Sequence, residues 1–379
     1  ALGVAMSGNL FTLFVFYEVL TLSTYPLVAH KGDAAAKRGA RIYLLTLLGT
    51  SIGLFLTALM WTWTLAGQNL DFVQGGLLSG LNISPAVSTA LLLLFVFGIG
   101  KAALMPVHFW LPNAMVAPTP VSALLHAVAV VKAGVFTVMK VSIFIFGEDL
   151  LNATPGREFV LWIACFTIIA ASLVAMTKDN LKARLAYSTV AQLAYVTAGA
   201  MLANEAGFLG GSLQIAAHAT GKMTLFMCAG AIYVATGATN ISDMRGLGRR
   251  MPLVFIAFFI AALSIIGIPP MAGSWAKYEL MQGAIDRGNG YVPWVLIGSS
   301  LLNIVYLLPI PILALMPPPG SGEPRAFKRP GGAPALTVAA PVFTAALCII
   351  LFFLVGPLAE FLAPTISGSA AAIVTGVQP

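Results

Sequence analysis

Long apolar runs recur along the whole chain, and they limit the possible folds more than any other feature of the sequence. A helix that crosses a bilayer needs about 20 mostly apolar residues. Such runs lie at 10–30, 41–66, 87–105, 120–146, 159–177, 184–203, 208–237, 252–283, 292–316 and 335–362, and a shorter one lies at 1–8. Only 9% of the residues are charged, against about 25% in soluble domains. The sequence therefore predicts an all-α polytopic membrane protein with about ten transmembrane helices.

The placement of the basic residues predicts how these helices are oriented. Alternate loops, at 31–41, 178–184, 243–250 and 318–332, hold nearly all of the loop cations, whereas the intervening loops hold only Arg157 and Arg287. The basic set is Lys31, Lys37, Arg38, Arg41, Lys178, Lys182, Arg184, Arg245, Arg249, Arg250, Arg325, Lys328 and Arg329. By the positive-inside rule these loops are cytoplasmic. The net charge of +7 thus indicates membrane topology, and we expect no nucleic-acid partner.

Five lysines remain inside the apolar runs, and no arginine accompanies them: Lys101, Lys132, Lys140, Lys222 and Lys277. A charged residue at the centre of a membrane helix costs about 2.5–3.5 kcal/mol. Lysine can lose its proton when it is buried, whereas arginine stays charged. One such lysine can be a satisfied interior residue, but a set of them predicts proton translocation. We set Lys140 apart, because it lies near the end of its run and its ammonium can reach the membrane interface.

Two histidines lie close to these lysines in the sequence. His126 precedes Lys132 by six residues, and His218 precedes Lys222 by four, which places the second pair on one helix face. A histidine titrates near neutral pH, so either one can relay a proton. The alternative for each is a packed histidine that bonds a neighbour. His108 and His30 lie outside the helix centres and are weaker candidates.

Two apolar runs are interrupted by proline and glycine beside a lysine. In the first, Lys101 is followed by the segment 106–120, which contains four prolines. In the second, the segment 267–273 contains Pro269 and Pro270 and precedes Lys277. Irregular backbone at membrane depth is tolerated where it is buried in protein or lines a hydrated cavity. Paired interruptions in two halves of a chain are typical of transporter repeats, although a simple proline kink is an alternative for either one.

The stretch around the first interruption resembles a known family signature. It reads KAALMPVHFWLPNAMVAPTPVSALLHAVAVVKAGVF, and it is similar to the antiporter-like membrane subunits of respiratory complex I (NADH-quinone oxidoreductase), of Mrp-type Na⁺/H⁺ antiporters and of membrane-bound hydrogenases. The resemblance implies two inverted five-helix repeats within a single membrane domain at 1–379. It divides the chain into a first half at 1–146 with a truncated start, a second half at 159–316 and an extra C-terminal helix at 335–362. The first three family helices and part of the fourth are then missing.

The resemblance also implies roles for individual residues. Glu18 matches a glutamate that pairs with a lysine, here Lys101. His126 and Lys132 match a relay on one helix, and His218 and Lys222 match a relay on another. Lys277 matches the residue at the exit of the second half-channel. These residues are the candidate proton-carrying set: Glu18, Lys101, His126, Lys132, His218, Lys222 and Lys277.

Departures from the family pattern favour one branch. One type of complex I subunit has glutamate where this chain has Lys277. The largest type usually lacks the lysine found here as Lys132 and has a long lateral helix. Taken together, these residues resemble those of the D-type subunit of Mrp antiporters. The alternative is a subunit of complex I or of a hydrogenase, and a purely structural membrane subunit is a lesser alternative. The family implies other membrane subunits as partners and a place in the cell inner (plasma) membrane. It implies protons as the transported ion, with Na⁺ as a candidate second ion.

No cofactor-binding or metal-binding motif is present in the sequence. There is no phosphate-binding lysine loop, no dinucleotide fingerprint and no iron–sulfur cysteine set. Cys165, Cys228 and Cys348 lie singly in apolar runs and form no CxxC pair. We therefore expect neither a cofactor nor a metal on this chain, and the sequence leaves the exchanged cation and the driving force open.

Overall fold

Helices make up nearly all of the chain that the computed structural model describes, namely residues 1–318, 325–328 and 332–366. Arg329, one of the predicted cytoplasmic cations, lies outside these residues. Eight helices are long and apolar enough to cross a membrane. We number the helices of five or more residues outside the interrupted segments. They are α1 (Leu2–Met6), α2 (Leu10–Val28), α3 (Ala34–Leu65), α4 (Pro85–Gly98), α5 (Thr119–Ala153), α6 (Gly156–Met176), α7 (Leu181–Leu202), α8 (Glu205–Thr236), α9 (Pro252–Ile266), α10 (Gly273–Asp286), α11 (Tyr291–Leu315), α12 (Ala335–Phe353) and α13 (Val355–Ile366).

The prediction of an all-α membrane protein with about ten membrane helices is confirmed. The eight long helices are α2, α3, α5, α6, α7, α8, α11 and α12. The two further crossings are the interrupted ones, where α4 and α9 have only 14 and 15 residues. Large apolar side chains such as Leu45, Phe166 and Trp294 are exposed on the outside of the bundle. A bilayer solvates such a surface, as the composition predicts.

Two boundaries differ from those read from the apolar runs. Helix α3 begins at Ala34 and not near residue 41, because the carboxylate of Asp33 accepts a hydrogen bond from the Ala36 amide at 2.6 Å. This cap satisfies a free amide at the helix start, so the helix extends into the basic segment. The run at 335–362 is not one helix, since α12 ends at Phe353 and α13 starts at Val355.

The first interruption follows α4. Gly98 ends the helix, a single helical turn at Gly100–Ala102 carries Lys101, and Ala103 adopts the left-handed conformation at φ 53°. The Trp110 indole donates a hydrogen bond to the Gly100 carbonyl at 2.9 Å. A backbone carbonyl that the broken helix leaves free is thereby satisfied inside the protein, as membrane depth requires.

The second interruption separates α9 from α10. Gly267 lies between them at φ +87°, a conformation that glycine adopts without strain. A Cβ on Gly273 would lie 2.0 Å from the Ser264 carbonyl oxygen, so only glycine permits this close return of the chain. Both interruptions predicted from proline and glycine are therefore present, each next to a buried lysine.

Helices α5 and α8 hold the bundle together. Helix α8 packs against α5, α7, α9, α10 and α12, and α5 also packs against the turn that carries Lys101. Gly134 of α5 makes that contact, since a Cβ there would lie 2.3 Å from the Lys101 carbonyl carbon and 2.4 Å from the Ala102 nitrogen. The interrupted segment thus rests directly on the backbone of α5.

We expect Gly134→Ala to destabilise the protein, because the added methyl group meets backbone that cannot move aside. Overpacking of this kind costs about 1–3 kcal/mol. Gly49→Ala is the matched control, since a Cβ at this position in α3 meets nothing within 4 Å and alanine favours a helix over glycine by about 0.5–1 kcal/mol. Thermal unfolding in detergent measures both variants. Equal unfolding temperatures for the two would contradict the close contact.

Candidate functional site

Four of the five lysines inside the apolar runs are buried in the bundle: Lys101, Lys132, Lys222 and Lys277. Lys140 is only partly buried, and its ammonium donates to the Ser7 carbonyl oxygen at 2.6 Å and lies 4.3 Å from the Phe72 ring centre. The structure therefore separates Lys140 from the other four lysines, as the sequence does. The roles of the four buried lysines remain predictions.

Lys101 is held by α2. Its ammonium donates to the backbone carbonyl of Tyr17 at 2.8 Å and to the Thr21 hydroxyl at 2.6 Å, and it lies 3.1 Å from the centre of the Tyr17 ring. The Tyr17 hydroxyl in turn accepts a hydrogen bond from the Lys101 amide at 3.1 Å. Carbonyl, hydroxyl and aromatic face all stabilise a cation without carrying a full charge.

The expected direct ion pair between Glu18 and Lys101 is absent from this structure. Both carboxylate oxygens of Glu18 are buried and have no hydrogen-bond partner in the described part of the chain. Ion pairs there join Arg157 to Glu158 and Arg325 to Asp243. The Lys101 ammonium bonds the Tyr17 carbonyl and the Thr21 hydroxyl of α2 instead, while Glu18 lies close enough to act on it electrostatically.

Lys132 and His218 meet across the contact between α5 and α8. The Lys132 ammonium hydrogen-bonds Nδ1 of His218, while Nε2 of this histidine is buried without a partner in the described chain. The sequence assigned His218 to Lys222, four residues away on the same helix. The structure adds a hydrogen-bond partner from another helix, because α5 crosses α8 at this level, and the relay with Lys222 stays a prediction.

His126 is not joined to Lys132. Both of its ring nitrogens are buried and lack a partner among the described residues, and its ring lies 5.0 Å from that of Phe226. Six residues correspond to about 240° around a helix, and a π-helical turn at Leu124–Val128 carries the histidine. His126 thus bonds no side chain of the described residues and lies against Phe226 of α8.

Lys222 begins a row of hydrogen-bonded neutral groups. Its ammonium donates to the Ser188 hydroxyl at 2.6 Å and to the Leu185 carbonyl at 3.2 Å. The hydroxyls of Ser188 and Tyr306 are 2.9 Å apart, and the Tyr306 hydroxyl also bonds the side-chain oxygen of Asn303. All of these side chains are buried. The row runs from α8 through α7 to α11.

Lys277 binds the end of the interrupted helix α9. Its ammonium donates to the carbonyls of Ile265 at 3.2 Å and Ile266 at 2.6 Å, and to the Ser300 hydroxyl at 2.7 Å. The last carbonyls of a helix have no partner within it and carry partial negative charge. Asn303 donates to the same Ile265 carbonyl at 3.5 Å. The row that starts at Lys222 therefore ends on the carbonyl that Lys277 also uses.

Several residues of this site were not singled out from the sequence. They are Ser188, Tyr306, Asn303, Gln192 and Gln214. Gln214 donates to Gln192 at 2.7 Å, and both are buried. The sequence does contain a signal for Gln192 and Gln214. Gln214 precedes His218 by four residues, and Gln192 follows Ser188 by four. Amide side chains inside apolar runs are costly unless they pair, so this spacing predicts a polar stripe on α8 facing one on α7.

The comparisons with known proteins agree on one family. A family model described as "NADH:quinone oxidoreductase/Mrp antiporter, TM" matches residues 7–303. The chain is 34% identical over 330 residues to NADH-quinone oxidoreductase subunit N of Desulforudis audaxviator (strain MP104C). This match covers 86% of this chain and 65% of that protein. It is 26% identical over 373 residues to the D-type subunit of the Na⁺/H⁺ antiporter of Bacillus subtilis (strain 168), covering 97% of this chain and 72% of that protein.

Solved structures agree on the fold. The chain superposes on one chain of the Mrp complex from Dietzia sp. DQ12-45-1b with a TM-score of 0.82 and 24% identity, covering 97% of this chain and 75% of that one. The family model covers well over half of this sequence. The interrupted helices, the buried lysines and these matches together show that the chain belongs to the family of NADH:quinone oxidoreductase and Mrp antiporter membrane subunits.

Proposed function

We propose that this chain is a proton-translocating subunit of a multisubunit monovalent cation/H⁺ antiporter of Mrp type in the cell inner (plasma) membrane. One observation carries the proposal: the hydrogen-bond partners found for the four buried lysines are neutral groups, and Glu18, which acts on Lys101 electrostatically, does not bond it. An opposite charge nearby holds an ammonium group charged, whereas hydroxyl, carbonyl and imidazole groups bind it less strongly. Lysines in such surroundings can release and regain protons.

Glu18 is proposed to act as the switch at the first lysine. In the arrangement described, its carboxylate is buried without a hydrogen-bond partner, and the Lys101 ammonium bonds Thr21 and not the nearby Glu18. A change in the Lys101 side chain or in α2 that brings the two together would hold the proton on Lys101. Separation of the two would release it toward the centre of the bundle.

From Lys101 the proposed route passes to the centre of the bundle. The turn that carries Lys101 packs against Gly134, two residues from Lys132, and Lys132 bonds His218 on α8. Lys222 lies four residues further along α8. His126, buried beside α8 near Phe226, is proposed as an additional relay for this central step.

The last step is proposed to use the hydroxyls of Ser188 and Tyr306. Hydroxyl groups donate and accept at the same time, so they can pass a proton from Lys222 through Ser188 to Tyr306, which the Asn303 carboxamide orients beside the end of α9. Lys277 binds the carbonyls at that end, in the manner expected for ion sites at broken helices. The two halves at 1–146 and 159–316 would each supply one such broken helix.

The second candidate function is a proton-pumping membrane subunit of NADH-quinone oxidoreductase. The 34% identity to a subunit of that enzyme favours it, whereas the match to a D-type antiporter subunit over 97% of this chain, together with Lys277, favours the Mrp type. Both place the chain among other membrane subunits. Affinity purification from native membranes and identification of the partner subunits distinguishes the two candidates, because redox subunits accompany only the second.

We expect Lys101→Ala to abolish proton transport, with at least a tenfold loss, while the complex still assembles. Lys101→Arg should also fail, since arginine binds the same neutral oxygens but does not release its proton. Lys140→Ala is the control, because this lysine lies at the edge of the bundle. Proton flux into inverted vesicles and the yield of purified complex are measured for each variant. Normal transport in an assembled Lys101→Ala complex would indicate a purely structural subunit.

We expect Tyr306→Phe to slow transport by about a hundredfold, the lower end of what one positioned proton-transfer group contributes. The substitution keeps the aromatic ring in place but removes the hydroxyl between Ser188 and Asn303. Tyr43→Phe is the matched control, because Tyr43 is equally buried and its hydroxyl bonds Thr24 at 2.6 Å outside the row. Equal flux in the two variants would remove Tyr306 from the route without affecting the role of Lys101.

A further inference from the structure

A groove of about 710 Å³ lies on one side of the bundle, and none of the four buried lysines lines it. Its walls are the start of α5, the C-terminal half of α8 and the first turns of α12. Most of its lining is apolar, with Leu124 and Val128 on one wall and Met227 and Val234 on another. Its volume is in the range of sites that hold a small molecule.

Cations mark one end of the groove. Lys31 and Lys182 both line it, and Lys182 is fixed there because its ammonium donates to the Ala117 carbonyl at 2.6 Å. Lys328 lies beside this end, 5.6 Å from the ring of Tyr233, which also lines the groove. No acidic side chain is among the lining residues in the described part of the chain. Two like charges at one mouth favour an anionic occupant.

The depth of the groove matches one leaflet of a bilayer. Along α8 its lining extends from Met223 to Val234, which is about 17 Å at 1.5 Å per residue. This is roughly half of the ~30 Å hydrocarbon core. The cations lie in the segments that the positive-inside rule places in the cytoplasm.

The groove is open toward the lipid and not toward the interior. Val128 and Tyr233 on its rim are 45% and 48% exposed, and both belong to membrane-crossing helices. A molecule can therefore enter it sideways from the bilayer. An apolar slot open to lipid with cations at its cytoplasmic end has the two features by which membrane proteins recognise anionic lipids.

We propose that this groove binds one anionic phospholipid of the cytoplasmic leaflet. Its phosphate lies between the ammonium groups of Lys31 and Lys182, and one acyl chain lies along α8 against Met227 and Leu124. The spare N–H donors of Lys182 are available to the phosphate, since a lysine has three and the Ala117 carbonyl uses one.

The position of the groove couples the lipid to the buried site. Phe226 lines the groove, and its ring lies 5.0 Å from that of His126. The π-helical turn at Leu124–Val128 separates the groove from the interior and carries His126 itself. A bound acyl chain would therefore support the wall on which this histidine rests.

The test uses the purified protein, with whatever subunits accompany it, in nanodiscs of phosphatidylcholine with increasing phosphatidylglycerol. Native mass spectrometry counts the phosphatidylglycerol molecules retained per protein. The double variant Lys31→Gln, Lys182→Gln should lose about thirtyfold in affinity for the retained lipid, since each lysine contributes about 1 kcal/mol toward an anionic lipid. The double variant Lys37→Gln, Lys178→Gln is the control, because it removes the same charge from the same side without touching the groove.

A second variant tests the apolar part of the site at constant charge. Gly230 lines the groove, and a Cβ there meets only Thr119 at ordinary contact distances of 3.4 and 3.7 Å. Gly230→Leu should fill the slot and reduce retention while the protein folds normally. Equal retention by the groove variant and the control would overturn the proposal. A photoreactive group at Val234 that cross-links to another polypeptide instead of to lipid would also overturn it.

Discussion

The burial of four ammonium groups inside a membrane protein is the constraint on which the rest of this structure depends. A cation at membrane depth is costly unless protein atoms replace its water. The chain supplies those atoms in two ways. Serine and threonine hydroxyls from neighbouring helices contact Lys101, Lys222 and Lys277, and a helix that ends inside the bundle exposes carbonyls to Lys277. The interruption after α9 is thus part of how Lys277 is accommodated, whereas Lys101 is satisfied by α2.

The neutral hydrogen-bond partners of the buried lysines bear on the proposed proton transfer. A buried ion pair would satisfy the charge more firmly, but it would also fix the protonation state. Glu18 is the acidic group next to the Lys101-binding face of α2, and its carboxylate is buried without a partner in the described chain. Under the proposed function, this arrangement is the one in which the carboxylate and the ammonium are not bonded to each other.

The sequence predicted the elements of the site better than their pairings. Lysines inside apolar runs are visible from composition alone, because their cost in a bilayer is a property of the residue and its run. Proline and glycine beside Lys101 and Lys277 likewise located both interruptions. The pairing of His218 with Lys132, and the row through Ser188 and Tyr306, join residues more than 80 positions apart. Such contacts depend on which helices cross each other, and a single sequence does not predict those crossings.

By itself the sequence determined that this chain is a bundle of membrane helices with its basic residues in alternate loops and lysines in its interior. Those properties follow from the local cost of apolar and charged groups in water and in lipid. Only the tertiary structure decided what each lysine touches. It gave the Lys101 ammonium a hydrogen bond to Thr21 and none to Glu18, and it placed the end of α9 at Lys277. The physical reason is that a hydrogen bond depends on distances of about 3 Å, and helix packing sets those distances.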